Sequence, residues 1–577
     1  MKNNYLKLMT ALLLTAFATV AQAYDFAEVN EQSDTIWYNI TSDNTCEVTY
    51  RNNSLYSDNS LYSDSLRYKG TIIIPSEVTH EGITYTVTGI GYDAFYNCSQ
   101  LEKVTMPSSV TYIEAWAFGG CENLSDIGEL PSELRYIVDY AFCYTSIGSV
   151  TIPATVESLG VLPFESCKKL TTLTVAEGNE YYTAVDNVLF DKNMTTLLCY
   201  PAGLEAEYYK VPESVKKIER YSMAYSKLKG IQMISVDTIK YGAFADDTLL
   251  TEITIPASVK SIGKSSFRGC TNLKNIEVES GNANYVDDEG VLYTKNMETL
   301  FVYPEGREDT EYTVNSDCKN ISESAFRYNR YITNVTLPEG LDSIGGWAFG
   351  QCPSLKELNI PASVSYIPDG SIVYYSTALE SLTVDAENPY YMAEDNVLFT
   401  KDKTILIAYA ANSAQESYSI PDKVDSIAFD ALSYARNLSK IVIPTSVTKI
   451  GACAFCCDPY YNIIDTIVLE SSVPLTSENI DEGWIFLDEY EPDYIYNHTI
   501  LVVPDGSKEA YEKTSSWSNF LNIMTNSEVT GINEINADNT PASVTTDERI
   551  YDLQGRRLDV MPENGVYIRG GKKIIEN

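Results

Sequence analysis

The chain has 577 residues, 44% of them hydrophobic and 21% charged, an ordinary balance for a folded soluble protein but too long for one hydrophobic core. Asp and Glu number 80 against 41 Lys and Arg, a formal net charge of −39. That excess excludes nucleic acid as a partner, because phosphate binding needs clustered cations, and argues against docking on an anionic membrane; it suits a long solvated β-rich surface, or else a cation or a basic partner.

Residues 1–23 read as a secretory signal. Lys2 and Lys7 make a positive start, Leu8 to Val20 is apolar, and Ala21-Gln22-Ala23 supplies the small-x-small cleavage pattern, leaving Tyr24 as the mature N-terminus. No Cys sits at the cleavage point, so no lipid anchor is expected there. No later apolar run is long enough for a transmembrane helix. The mature protein is therefore expected to be exported, to the cell surface or the medium with the periplasm as fallback, and to insert in no membrane.

Residues 24–71 read as an N-terminal β cap, with strands at Ile36–Ile40 and Cys46–Tyr50. A tandem duplication, Ser54 to Asn59 and then Ser60 to Ser65, reads as a loop expansion without chemistry. From residue 72 one phrase recurs: apolar-Pro-x-x-Val-x-x-Ile-Gly-x-x-Ala-Phe-x-x-Cys-x-x-Leu. Clear copies begin at Met106-Pro107, Ile255-Pro256 and Leu337-Pro338, and others at Pro131, Pro153, Pro212, Pro361, Pro421 and Pro444. Phe95 to Phe118, Phe244 to Phe267 and Phe326 to Phe349 are each separated by 23 residues. A unit of that size cannot bury its own apolar face, so stacked coils must share one. The stretch before each Pro, such as Glu252–Ile255, predicts a parallel strand, since Pro suits a strand end. The Ser-Ile-Gly and Ala-Phe segments predict a short-helical or irregular opposite side. With coils advancing roughly 5 Å each, residues 72–525 predict an elongated, curved solenoid that needs a cap at both ends.

A longer period overlies the first. Asn179 to Phe190, Asn282 to Tyr293 and Asn388 to Phe399 resemble one another, with turn dipeptides Asp186-Asn187, Glu289-Gly290 and Asp395-Asn396 that tolerate positive φ. They predict three β-hairpin inserts projecting from the coil path. From about residue 500, Ile500–Pro504 predicts a last strand, and Ser507 to Asn522, carrying Tyr511, Trp517 and Phe520, a helix-like C-terminal cap. Residues 526–548 are polar and read as a linker. Residues 549–577 turn apolar and locally basic and predict short strands in a hairpin-like tail.

The recurring phrase resembles the repeats of the BspA-like leucine-rich-repeat surface proteins of Gram-negative anaerobic bacteria. The hairpins and the Trp517-Ser518-Asn519-Phe520 ending look like that family too. The resemblance implies a leucine-rich-repeat solenoid and a surface adhesin that binds host matrix proteins, other bacteria or innate-immune receptors. The tail Tyr551–Arg557 with Gly565–Ile568 resembles a type IX secretion sorting signal, though it is short. Asp-Ser and Asp-Thr pairs before an apolar residue, as at Thr35, Ser65, Thr238, Ser343 and Ser426, look like O-glycan acceptors of the same bacterial group, although Ser-Ile is also part of the repeat itself.

Little in the sequence points to catalysis. Cys98, Cys121, Cys167, Cys270 and Cys352 share one slot, three residues after the Phe position, and read as small buried side chains stacked in a ladder; Cys98 and Cys121 fall in adjacent coils, within reach of each other but poorly set for a disulfide. Only His80 and His498 exist, and no nucleophile-elbow, phosphate-loop or zinc-protease motif is present. No catalytic, cofactor or metal residue is assigned, and no ligand-binding residue is singled out. The reading is a non-catalytic exported binding protein that meets a host or bacterial protein through the solenoid face or the hairpins. The alternatives are a carbohydrate-binding component of a nutrient-capture system, with Tyr181-Tyr182 and Tyr390-Tyr391 stacking sugars, and a structural envelope protein.

Overall fold

A computed structural model describes residues 24–50, 67–368, 371–456, 464–476, 485–486 and 494–529, and, as backbone strands only, 550–551, 557–558, 565–569 and 572–576. The signal segment, the duplication at 54–65, Cys457 and most of the linker lie outside the described residues. The chain divides into two compact units: Met1–Asp309 with Asn320–Arg330, and Thr310–Lys319 with Tyr331–Asn577. Both are β-solenoid, about 18 turns in all, with very little helix.

Each regular turn hands its backbone hydrogen bonds to its neighbours along three ladders. The longest is the strand before Pro: Ser149–Ile152 runs parallel to Thr172–Val175, Glu252–Ile255 to Asn275–Val278, and Lys440–Ile443 to Thr466–Leu469, each in one-to-one register. A second ladder is made of two-residue strands, Tyr112–Ile113 beside Tyr136–Ile137 and that beside Ser158–Leu159. The third crosses the Ala-Phe segment, where alternate amides reach the next turn: Trp116 N to Asp139 O, Phe118 N to Ala141 O and Gly120 N to Cys143 O, at 3.1, 2.8 and 2.9 Å. To aim those amides outward, the residues flanking Phe adopt positive φ, as at Trp116 (58°), Tyr140 (57°) and Tyr144 (57°). Each such non-glycine residue costs about 1 kcal/mol, which the ladder bond offsets. The opposite side is thus irregular, with no helix in these turns.

Inside the ladders the apolar residues stack on their own kind. Phe95, Phe118, Phe142 and Phe164 are buried, with successive ring centroids 4.9, 5.1 and 5.8 Å apart and planes within 13° of parallel. Phe244 repeats this on Phe267 at 5.6 Å. At the N-terminal end of the stack Tyr68 packs on Phe95 at 4.5 Å, while its hydroxyl donates to Thr49 O and accepts from Trp37 N. The cap strands Phe26–Val29, Thr35–Ser42 and Thr45–Thr49 form an antiparallel meander, and the last of them pairs parallel with Ile83–Ile90.

At the C-terminal end Trp517, Phe520, Phe486 and Tyr496 close the core edge to face, with Trp517 Nε1 donating to Leu475 O at 3.0 Å. The helix expected over Ser507 to Asn522 is shorter, Lys508–Lys513, ending where Thr514 turns extended (φ −95°, ψ 129°), and Asn522–Thr525 then runs as a parallel strand beside Ile500–Val503. In the tail, Ile550–Tyr551, Arg557–Leu558, Gly565–Arg569 and Lys572–Glu576 form a four-stranded antiparallel sheet.

The three hairpins do not project. In the first, Tyr182–Val185 pairs antiparallel with Val188–Asp191, which pairs with Thr196–Cys199, which rejoins the two-residue ladder beside Lys217–Ile218. Val188, Leu189 and Phe190 are buried, as are Val291–Tyr293 and Val397–Phe399 at the equivalent places. The inserts are therefore wall, because their central strand carries core residues. A buried Asn fastens each one. Asn179 Nδ2 donates to Pro153 O and Val156 O at 2.9 and 3.0 Å, and its Oδ1 accepts from the amides of Tyr181 and Tyr182 at 2.8 Å. Asn282 does the same with Pro256, Val259, Asn284 and Tyr285, and Asn388 with Pro361, Val364, Tyr390 and Tyr391. Every donor and acceptor of the amide that can be used is used. Asn282→Ala strands four buried backbone groups and is expected to cost on the order of 3 kcal/mol or more, against under about 1 kcal/mol for Tyr181→Ala at the exposed neighbouring position of the first hairpin; urea unfolding midpoints of the two variants check this, and equal losses would refute the anchor.

Candidate binding surface

Period-two alternation divides the long strands. Val150, Ile152, Leu173, Ile253 and Ile276 point inward and are buried, while the outward positions carry Ser, Thr, Glu, Asn and Lys. Outward neighbours in adjacent turns often engage each other: Thr151 with Thr174 at 2.9 Å, Thr383 with Asn359 at 2.8 Å, Lys103 with Asp126 at 2.7 Å. The pattern changes at Tyr208–Lys210 and Gly230–Gln232, where Tyr208, 73% exposed, stands opposite Gly230. A β-carbon on Gly230 would lie 3.1 Å from Tyr208 Cδ1 and Cε1, so a side chain there would push the ring aside by a few tenths of an ångström. An open trough of about 420 Å³ runs beside it, lined also by Lys210, Gln232, Glu252 and Thr254.

The irregular side presents a separate aromatic column that the repeat phrase conceals in a variable position. Trp116 stacks on Tyr140 at 4.5 Å and meets Tyr96 edge-on at 5.6 Å. In the same unit Arg220 sits over Tyr241 and Lys168 over Tyr225. The signal was available in the sequence: Trp116, Tyr140 and Trp347 each stand immediately before the Ala of an Ala-Phe pair.

The tyrosine pairs expected to stack sugars are not pairs on the surface. Tyr181 and Tyr390 are exposed, but Tyr182 and Tyr391 turn their hydroxyls to the amides of Leu159 and Ile367, at 2.9 and 2.8 Å, and Tyr285 does the same for Ile262. These second tyrosines cap the preceding turn's ladder. His80 belongs to the cap, with Nδ1 2.9 Å from Glu28 Oε1 and its ring stacked on Phe26. Thr238, Ser343 and Ser426, three of the possible glycan acceptors, are half-buried within the two-residue ladder strands; Ser65 lies outside the described residues. Among the described residues no group of three or more His, Cys, Asp or Glu side chains is placed to hold a metal ion, and no helix is long and apolar enough to cross a membrane.

The BspA type leucine rich repeat region matches residues 72–195, 200–307, 306–394 and 406–480. The chain belongs to this family. It is similar to a leucine rich cell surface protein from Faecalibacterium prausnitzii A2-165, at 22% identity over 77% of this chain and 95% of that one, with a TM-score of 0.35. It is similar also to leucine-rich repeat proteins from Eubacterium ventriosum (24% identity, 59% and 92% covered, TM-score 0.41) and Bacteroides ovatus (20% identity, 73% and 95% covered, TM-score 0.29). No curated protein matches the chain.

The cysteine slot of this BspA-type repeat is buried, as the ladder reading requires, and it also carries hydrogen bonds. Cys121, Cys167 and Cys270 each point Sγ at the carbonyl of the preceding turn's Phe, at 2.9, 3.2 and 3.1 Å. Ser376 makes the same bond to Phe349 O at 2.6 Å, and Thr145 in that slot bonds Phe142 O of its own turn. Ser and Thr can take the place of Cys there because they are small and keep the bond, although the slot also accepts Ala435 and Asp247. All eleven described cysteines are free thiols. Burial pushes the Cys167 thiol up to about 11 and Cys270 well above the usual thiol range. Thiol titration should leave the slot cysteines unreactive in the native protein and release nearly all twelve in denaturant; native reactivity at the slot would contradict the packing.

One buried acid departs from the repeat. Each hairpin turn ends in a Tyr at the Phe position followed two residues later by Ala202, Glu305 or Ala411. Glu305 Oε1 accepts from Gly269 N at 2.7 Å, Oε2 has no hydrogen-bond partner within the protein, and the residue lines a cavity of about 30 Å³, room for a water. Burial raises its pKa to about 8, against the pull of Arg268 and Arg327. The folded state therefore keeps a proton that the unfolded chain has lost, so its contribution to stability falls as pH rises from the ordinary carboxylate range to about 8. Glu305→Gln, which does not ionise, should match the parent near pH 4 and be more stable than it near pH 9 by a few kcal/mol. Thermal melts of both across that range check it; parallel curves would refute the buried acid.

Proposed function

We propose that this protein is an exported, non-catalytic binding protein of the cell surface. Its partner on this reading is a protein, either a host matrix or surface protein or one on another bacterium. The contact is made by the outward residues of the long strands. One observation carries the reading. The inward half of each long strand is committed to the core, its backbone is paired to neighbouring turns, and its outward half is a regular polar array on a rigid support. Such an array can vary from turn to turn without touching the fold, which is what a recognition surface needs. The hairpins, being wall, are the weaker candidate. Of the two histidines, His80 packs on the N-terminal cap beside Glu28 and Phe26 and His498 ends a short helix of the other unit, which favours binding over histidine-based catalysis.

Membership of the BspA-type family and the signal-like segment at residues 1–23 support export and surface display. The tail sheet is proposed to serve delivery to the outer surface. Purified protein should bind an immobilised panel of host matrix and bacterial surface proteins saturably at physiological salt. A variant with Thr151→Arg, Thr174→Arg and Glu277→Arg on the outward strand face should lose at least tenfold in affinity, while Trp116→Ala on the irregular side should not. Equal affinity of parent and strand-face variant, with both folded by circular dichroism, would overturn the assignment of the face.

A further inference from the structure

We infer that the trough beside Tyr208 is a glycan subsite that takes a hexopyranose ring of a neutral oligosaccharide. This goes beyond the protein-partner reading and does not depend on it. Three observations meet here. First, Tyr208 is the one large aromatic among the described outward positions of the long strands in its unit, and at 73% exposed it keeps a ring face open to solvent. One edge of the ring covers Gly230 and supports the strand pair, while the exposed remainder forgoes the burial that makes Tyr most stabilising. Second, Gly230 stands opposite it in register, and a side chain there would meet the ring at 3.1 Å. Glycine is otherwise unfavourable within a strand, and in strands it commonly marks a place where something approaches the backbone closely. Third, the outward side chains across the trough, Gln232, Glu252 and Thr254, make no side-chain hydrogen bond among the described residues. Outward neighbours in other turns, such as Thr151 with Thr174 and Asn359 with Thr383, bond each other instead.

The chemistry of that set fits a sugar better than a protein side chain. An apolar anchor from a protein needs a closed, desolvated pocket. Here Ile253 turns inward and is buried, and Gly230 is buried beneath the ring, leaving the Tyr208 ring with the half-buried Tyr209 and Ile231 as the apolar part. A pyranose presents axial C–H groups on one face and hydroxyls around its rim. The C–H face would lie on the Tyr208 ring, while the rim hydroxyls donate to Glu252, exchange hydrogen bonds with the Gln232 amide and the Thr254 hydroxyl, and accept from the Lys210 ammonium. The trough volume, about 420 Å³, is in the range of small-ligand clefts, roughly 300–1,000 Å³, and it is open to solvent.

The test uses the full chain and four immobilised probes: cellohexaose, maltohexaose, mannohexaose and chitohexaose. At least one is expected to bind saturably. Tyr208→Ala should reduce that binding tenfold or more, and Gly230→Val, which crowds the ring, should reduce it comparably. Tyr366→Ala, an exposed tyrosine outside the trough, should leave it unchanged. Circular dichroism and melting temperature guard against misfolding, and Tyr208→Phe, which keeps the ring, should retain most of the binding. No binding to any of the four probes, or binding indifferent to Tyr208→Ala, would overturn the inference. Protein-partner binding measured on the same Tyr208→Ala sample separates the two readings: its survival alongside lost glycan binding means two sites, and its loss with no glycan bound assigns the trough to the protein partner and also overturns the inference.

Discussion

No described turn of this solenoid satisfies its own backbone alone. Each amide that faces along the stack finds its carbonyl one turn away, at the long strand, at the two-residue strand and across the Ala-Phe segment. Leaving such groups unpaired in the interior would cost about 1–3 kcal/mol apiece, so the turns stand or fall with their neighbours. The same dependence sets the core. A Phe stacked at about 5 Å on the next Phe is buried only because the next turn exists. Short period, fixed register and a common apolar slot are three consequences of one requirement, that every turn present to its successor what it received from its predecessor.

The departures from regularity are resolved by the same backbone pairing. A hairpin breaks the long-strand course, and its buried Asn repairs the break by bonding two carbonyls of the preceding turn and two amides of its own. The following Tyr then lends its hydroxyl to an amide in the preceding turn. Three hairpins use one solution with near-identical distances, so the constraint lies in the geometry rather than in any one site. At the ends, where no further turn exists, bulky aromatics substitute for it: Tyr68 covers Phe95 at one end, and Trp517 and Phe520 pack against Phe486 at the other. Glu305, like the buried Asp247 of the cysteine slot, departs from this. It places an ionisable group where the other two hairpin turns place Ala, and the fold holds it by keeping it protonated.

Much of this is legible in the sequence, and the reason is physical. Residues that must match their equivalents in the next turn recur at fixed spacing, so the Phe ladder, the strand before Pro and the buried Cys slot all show as periodicity. What periodicity conveys is position and not the partner an atom finds there. By spacing alone the slot is merely small and apolar, whereas the thiol of Cys121 and the hydroxyl of Ser376 serve equivalent carbonyls, those of Phe95 and Phe349. The hairpins read as projections because turn dipeptides mark a reversal and do not say which face of the reversed strand is buried; three consecutive apolar residues, Val188 to Phe190, are the clue to a wall strand. The Tyr181-Tyr182 pair divides between solvent and structure because adjacent strand residues point to opposite sides.

The surface is hardest to read for the converse reason. Outward positions can pair with a neighbour in the next turn but need not match it, so they carry no period, and a residue there is informative only when it breaks the polar norm of its column. Tyr208 does so, but its meaning depends on Gly230, which lies 22 residues later and comes beside it only through the parallel register. A solenoid converts a sequence separation of one repeat into direct contact, so the residues that build a surface site arrive as isolated, unremarkable letters in successive repeats. The inward half of each turn is held to its neighbours by packing and hydrogen bonds, and it therefore announces the fold. The outward half is released from that duty by the same bonds, and this release lets one rigid scaffold carry a site at any turn where two or three outward residues happen to agree.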